Sequence, residues 1–189
     1  MKFVAFPAML ALAVISASAP AFAQSHAPAA RDQASTAHQD TKFLEKANQG
    51  SFDEIELGQL ALKKSSNDDV KNFAQKMVHD HTMLIDNMKP FANEAGLQPP
   101  SHASAATEAE KLKLDVLSGE SFDKAYIKAM VQDHSKDLAE FRTEAKATGY
   151  PAFKTAVEQG EQVVREHLEM INQIAKKNGI APAPVPAGN

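Results

Sequence analysis

The sequence predicts an all-α protein, a ferritin-like four-helix bundle whose second and third helices are joined by a long crossover carrying a short extra helix. Three observations lead there. Apolar residues recur every three or four positions through four long segments, the period of one helix face. Two of the breaks between segments are about three residues long, whereas the middle one, 97–120, is far longer. Glycine is scarce (8 of 189 residues) and aromatics make up 6%, a poor supply for a sandwich or barrel.

The chain opens on Lys2 and a nearly unbroken apolar run from Phe3 to Ile15. Small residues follow, ending in Ala21-Phe22-Ala23. This is the pattern of a secretory signal peptide over residues 1–23, cleaved before Gln24 and directing the protein to the periplasm or medium. No later stretch is apolar enough to span a bilayer. Without cysteine there is no lipoprotein anchor, disulfide, thiolate metal site or cysteine nucleophile. The formal charge of −4 lacks the basic footprint of a nucleic-acid binder. Residues 24–39, polar and without period, are expected to be a disordered leader.

The bundle domain is expected over 40–180. Its first helix starts at Thr41 with Asp40 as cap, carries Phe43, Ala47, Leu57 and Ala61 on one face, and ends at Lys64. Ser65-Ser66-Asn67 breaks the chain and caps a second helix from Asp68 to about Ala95. Its stripe is Val70, Ala74, Met77, Leu84, Ile85, Met88 and Ala92. Pro90 should kink that helix and Gly96 should end it. After Pro99-Pro100 a short helix is expected around Thr107–Leu117. The third long helix follows Ser121 and runs to Thr148; Gly149-Tyr150-Pro151 turns into the fourth, which ends near Gly179. Short breaks make antiparallel hairpins of the first and last pairs. The long one can return the chain along roughly 42 Å of bundle, placing the second and third helices parallel. Residues 181–189, alternating Pro with small residues, are expected to be a disordered tail.

Four ligand-type residues occupy the centres of the apolar stripes. With 100° per residue, Val70, Ala74, Met77, Ile85, Met88 and Ala92 lie within about 40° of His81. His134 is placed likewise among Ile127, Met130, Leu138 and Phe141, and His167 among Ala156, Val163, Ile171 and Ile174. On the first helix that position is Glu54, whereas Glu56 points elsewhere. Rise along the helices puts all four within roughly 10 Å of one level. A carboxylate and three imidazoles suit a single zinc, iron or copper ion. The same residues would equally serve as a hydrogen-bonded polar layer that only holds the helices together. Asp80 and Asp133 could each orient a neighbouring histidine. Met77 and Met130, one turn before His81 and His134, could favour copper(I), although methionine at that spacing is ordinarily core filler. His79 should face solvent, and His26, His38 and His102 fall in flexible or linking segments, where no site is expected. No phosphate loop, nucleophile elbow or H-E-x-x-H helix occurs. No hydrolytic or transferase chemistry is therefore expected.

A repeat ties these positions together. Met77-Val-His-Asp-His81 matches Met130-Val-Gln-Asp-His134, 53 residues on. With Glu54-Ile-Glu-Leu-Gly-Gln-Leu-Ala61 before them and His167-Leu after, the chain resembles an exported bacterial family catalogued as domain of unknown function 4142. The resemblance spans about Thr41 to Lys177. It implies an exported ferritin-like bundle, often labelled an outer membrane protein, with no established reaction. The barrel strands that label would need are absent from the sequence. Di-iron ferritins place Glu three residues before each histidine; here Val78, Val131 and Val164 stand there. A mononuclear site is expected, not a di-iron one. The alternative is a non-enzymatic envelope stress or interaction protein, with an envelope protein as partner, whose His/Glu layer is structural or senses pH.

Overall fold

The structure, a computed structural model, describes residues 30–186. The expected signal peptide and the first residues of the leader lie outside that range. Within it are five helices and no strand: α1 Ala30–Lys64, α2 Asp68–Glu94, α3 Ala105–Asp115, α4 Gly119–Ala147 and α5 Pro151–Lys177.

Local chemistry sets the helix ends. The Asn67 side chain accepts from the amides of Asp69 and Val70, satisfying two orphan donors of α2, and Asp68 and Asp69 favour the positive end of its dipole. Pro90 is carried inside α2, which runs on to Glu94. Gly96 then takes φ 71°, the left-handed conformation that lets Leu97 N–H reach back to Ala92 O (2.9 Å). Ser104 caps α3 through Thr107 N–H, so that helix begins two residues before the expected Thr107.

Contacts along the helices fix their directions. Lys177 meets Asp69 at one end of α2 and α5, and Phe91 packs on Phe153 at the other. Asp40 binds Thr148, Lys46 binds Glu140 and Ser65 binds Asp123 along α1 and α4. Each long helix is thus antiparallel to both of its neighbours, and α2 runs parallel to α4 across the diagonal. The crossover makes this possible by climbing α1. Ser104 N–H donates to Asp53, Lys111 pairs with Glu56, and Lys64 holds Asp115 at the top.

Two glycines let the hairpins close. A Cβ on Gly160 would meet Phe141 Cε1 at 2.4 Å, and one on Gly58 would meet Ala74 O at 3.2 Å. The core divides into two apolar blocks. Phe43, Phe91, Phe141 and Phe153 fill one end; Val70, Phe73, Phe122, Tyr126, Ile171 and Ile174 fill the other.

Two expectations about the ends are corrected. Residues 30–39 are helical, not a disordered leader, and Asp40 lies inside α1 instead of capping it. The segment is polar but Ala-containing, with adequate helix propensity. Gln39 Nε2 and the Asp40 carboxylate also find partners on α4, in Glu144 (3.1 Å) and Thr148 (2.8 Å). The tail is extended but packed as far as Pro186. Asn172 both accepts from Ala183 N–H and donates to Ala183 O at 2.8 Å. Arg142 and Arg165 donate to Pro186 O, and Val185 rests on the core. A proline-rich strand has no internal backbone bonds, so side chains of α4 and α5 supply them.

Candidate metal centre

The three histidines meet between the two apolar blocks. Their ring centroids are 6.0 Å (His81–His134), 5.3 Å (His81–His167) and 5.5 Å (His134–His167) apart. One ligand nitrogen from each lies within 4.8 Å of the other two, and all three residues are buried. Each sits at the middle of its helix face, which is why the stripes bring them together.

Two of the rings are held by one nitrogen and leave the other unused. His134 Nδ1 donates to Met130 O at 2.9 Å; a carbonyl can only accept, so Nε2 carries the lone pair. His167 Nε2 donates to Asp80 Oδ2 at 2.8 Å, and Asp80 is held in turn by Lys76 at 2.7 Å. His134 Nε2, His167 Nδ1 and both nitrogens of His81 have no hydrogen-bond partner. Burial first, then the positive charge the neighbouring rings would carry, lowers the pKa of His81 and of His134, the latter to about 3. Burial also lowers His167, against the opposing pull of Asp80. Near neutral pH the folded protein therefore holds three neutral imidazoles, the form that binds metal.

Glu54 stands at the edge of this group. Its Oε1 is 3.9 Å from His134 Nδ1, a nitrogen already bonded to Met130, and its Oε2 is unpartnered. Burial, then Asp133, Asp137 and Asp53, push its pKa well above the usual carboxylate range. Asp80 does orient a histidine, although it is His167 on the facing helix, not its own neighbour His81. Asp133 instead lines a cavity between α1, α4 and the crossover. Met77 and Met130 are buried core residues, and Met130 contributes its carbonyl to the site. His79 is exposed, as expected; His102 is exposed in the segment linking α2 and α3, whereas His38 lies within α1 and not in a flexible segment.

Two groups escaped the reading of the sequence. Tyr126 on α4 is fully buried with an unpartnered hydroxyl, whose pKa is raised by burial and by the charge of Glu54. It aligns with Phe73 in the internal repeat and so reads as core aromatic. Asp137 on α4 has its pKa raised to about 7, by burial and then by Asp133 and Glu140. Its spacing of four residues from Asp133 was the available signal. Phe73 covers the layer from the side of the second apolar block, with its ring 5.9 Å from His134 and 6.1 Å from His167.

No curated protein matches the sequence. Solved structures that share the fold include two DUF305 proteins. A DUF305 protein from Streptomyces coelicolor, described as a candidate secreted protein, has a TM-score of 0.66 at 13% identity, covering 82% of this chain and 98% of its own. A DUF305 fragment from Deinococcus radiodurans has a TM-score of 0.62 at 18% identity, covering 75% of this chain and 95% of its own. The family model described as "Domain of unknown function (DUF4142)" matches residues 24–174, and the chain belongs to that family.

Proposed function

We propose that this is an exported helical bundle that binds one first-row transition-metal ion, zinc, iron or copper, through His81, His134 and His167, with Glu54 as a neighbouring carboxylate. The observation that carries the reading is that each of the three buried rings keeps a nitrogen without a partner and offers one ligand atom within 4.8 Å of the other two. Leaving a buried polar atom unsatisfied costs about 1–3 kcal/mol, so three together, one from each ring, favour an occupant. Two of the rings are already anchored through their second nitrogens, the usual preparation of a metal-binding histidine. A bound ion would supply Lewis acidity at a position the protein leaves open. Lone Glu54 argues for one ion, not a carboxylate-bridged pair. Export rests on the signal-like residues 1–23; among the described residues no helix is long and apolar enough to cross a membrane.

The test is metal content of untagged protein, followed by titration of the stripped protein with zinc, copper(II) and iron(II). One equivalent bound with a raised melting temperature, both lost in His81→Gln, is the expected result. Protein that is metal-free and whose melting ignores all three ions refutes the reading. A second reading, a structural layer in an envelope stress or interaction protein, draws on the two hydrogen bonds that the layer makes without any ion. It requires His81→Ala to lower stability with metal binding absent from wild type and variant alike. A pH sensor working near neutrality is disfavoured by the lowered histidine pKa values.

A further inference from the structure

The three histidines are closed off by apolar residues at both ends, so an ion must reach them from the side. On one side a cavity of about 690 Å³ opens between α1, α4 and the crossover, and its lining includes both Glu54 and His81. The reason for the gap is local. Gly50 of α1 faces open space, with nothing within 4 Å of where a Cβ would stand, and Asp53 holds the crossover away from α4 by binding Ser104 N–H.

Carboxylates run from the cavity's rim to its floor. Asp133, Asp137 and Glu140 are spaced i, i+4 and i+7 on α4 and so share one face. Glu140, paired with Lys46, and Asp137 and Asp133 are half-buried; Glu54, across the cavity on α1, is only 4% exposed. Its unpartnered Oε2 and the unpartnered Asn48 Oδ1 are buried acceptors on the same wall. Lys42, Lys46 and Lys136 also line the space, and Lys136 offsets part of the charge on both aspartates, but no ammonium forms an ion pair with Asp133, Asp137 or Glu54 among the described contacts.

We infer that this cavity is the cation's path to the histidines, with Asp137 and Asp133 collecting the ion and Glu54 passing it to the imidazoles. The inference rests on the metal-binding reading above. Carboxylates crowded in a low-dielectric cleft concentrate cations and speed their arrival by tenfold or more. Oxygen donors hold such ions more loosely than imidazole, which suits a path and leaves the histidines as the end point. Glu54 then has a role that its 3.9 Å approach to the already bonded Nδ1 of His134 does not explain by itself.

The experiment is stopped-flow uptake of cobalt(II), followed by its visible absorption, into stripped wild type, Asp137→Asn, Asp133→Asn and Gly50→Phe. The aspartate variants should load and release cobalt about tenfold more slowly, with stoichiometry and Kd within about threefold of wild type. Added salt should slow wild type more than Asp137→Asn. Gly50→Phe fills the gap without touching charge and should slow both directions. Wild-type rates in all three variants would overturn the path while leaving the metal site intact. Failure of wild type to take up cobalt at all would overturn both.

Discussion

His81 differs from its two partners in having no protein group on either ring nitrogen, whereas His134 and His167 are each pinned by one. Removing a pin should therefore matter more to the ion than to the fold. Asp80→Ala frees the His167 ring and should weaken metal binding about 10–100-fold, measured by competition with a chelator. Glu54 behaves oppositely in the metal-free protein. Its raised pKa means that folding opposes its ionisation, so its unfavourable contribution grows as pH rises above 4.5. Glu54→Gln should stabilise stripped protein at pH 7 by about 1–3 kcal/mol in denaturant titration, while slowing metal loading. A stripped variant no more stable than wild type would contradict this. That a carboxylate and three imidazoles share a level was legible from stripe position together with the rise along each helix. Which nitrogen each ring leaves free was not, because that depends on Met130 O and on Asp80 arriving from a facing helix.

At the scale of elements, the helices were legible because each long segment keeps a single apolar face, and α2 also carries a cap at each end. Asn67 and Gly96 act within a few residues of their own positions, so sequence suffices. The close approach of α4 and α5 is different: Gly160 reads as a weak point in a helix until Phe141 is placed against it. Gly160→Val should lower stability by about 1–3 kcal/mol through overpacking, seen as a shifted denaturation midpoint with helix content retained. A neutral or stabilising effect would mean the hairpin is looser than described. Both ends of the domain were misjudged for one reason. Polar and proline-rich segments carry no apolar period, and their order here comes from side chains distant in sequence, Glu144 and Thr148 for the start and Asn172, Arg142 and Arg165 for the tail.

For the whole molecule, the histidine layer links stability to acidity. His134 is lowered from 6.5 to about 3 on folding, so below pH 6.5 the unfolded chain binds a proton that the folded one refuses. Its contribution is full above 6.5 and shrinks as pH falls, by about 1.4 kcal/mol per pH unit. Glu54, Asp137 and Glu144, all raised, oppose this by favouring the folded state at lower pH. Comparing variants isolates the ring. In stripped protein, the stability advantage of wild type over His134→Gln should fall by about 1.4 kcal/mol for each unit below pH 6.5. A constant difference would show that the ring is not held neutral.

The sequence by itself determined the helices, their order, the parallel second and third long helices and the convergence of His81, His134 and His167, because helical periodicity and connection length are local properties. The tertiary structure decided which nitrogens are free, that Glu54 stands beside the trio, and that carboxylates of α1 and α4 line one cavity. Those depend on distances between helices, which no spacing along a single chain encodes.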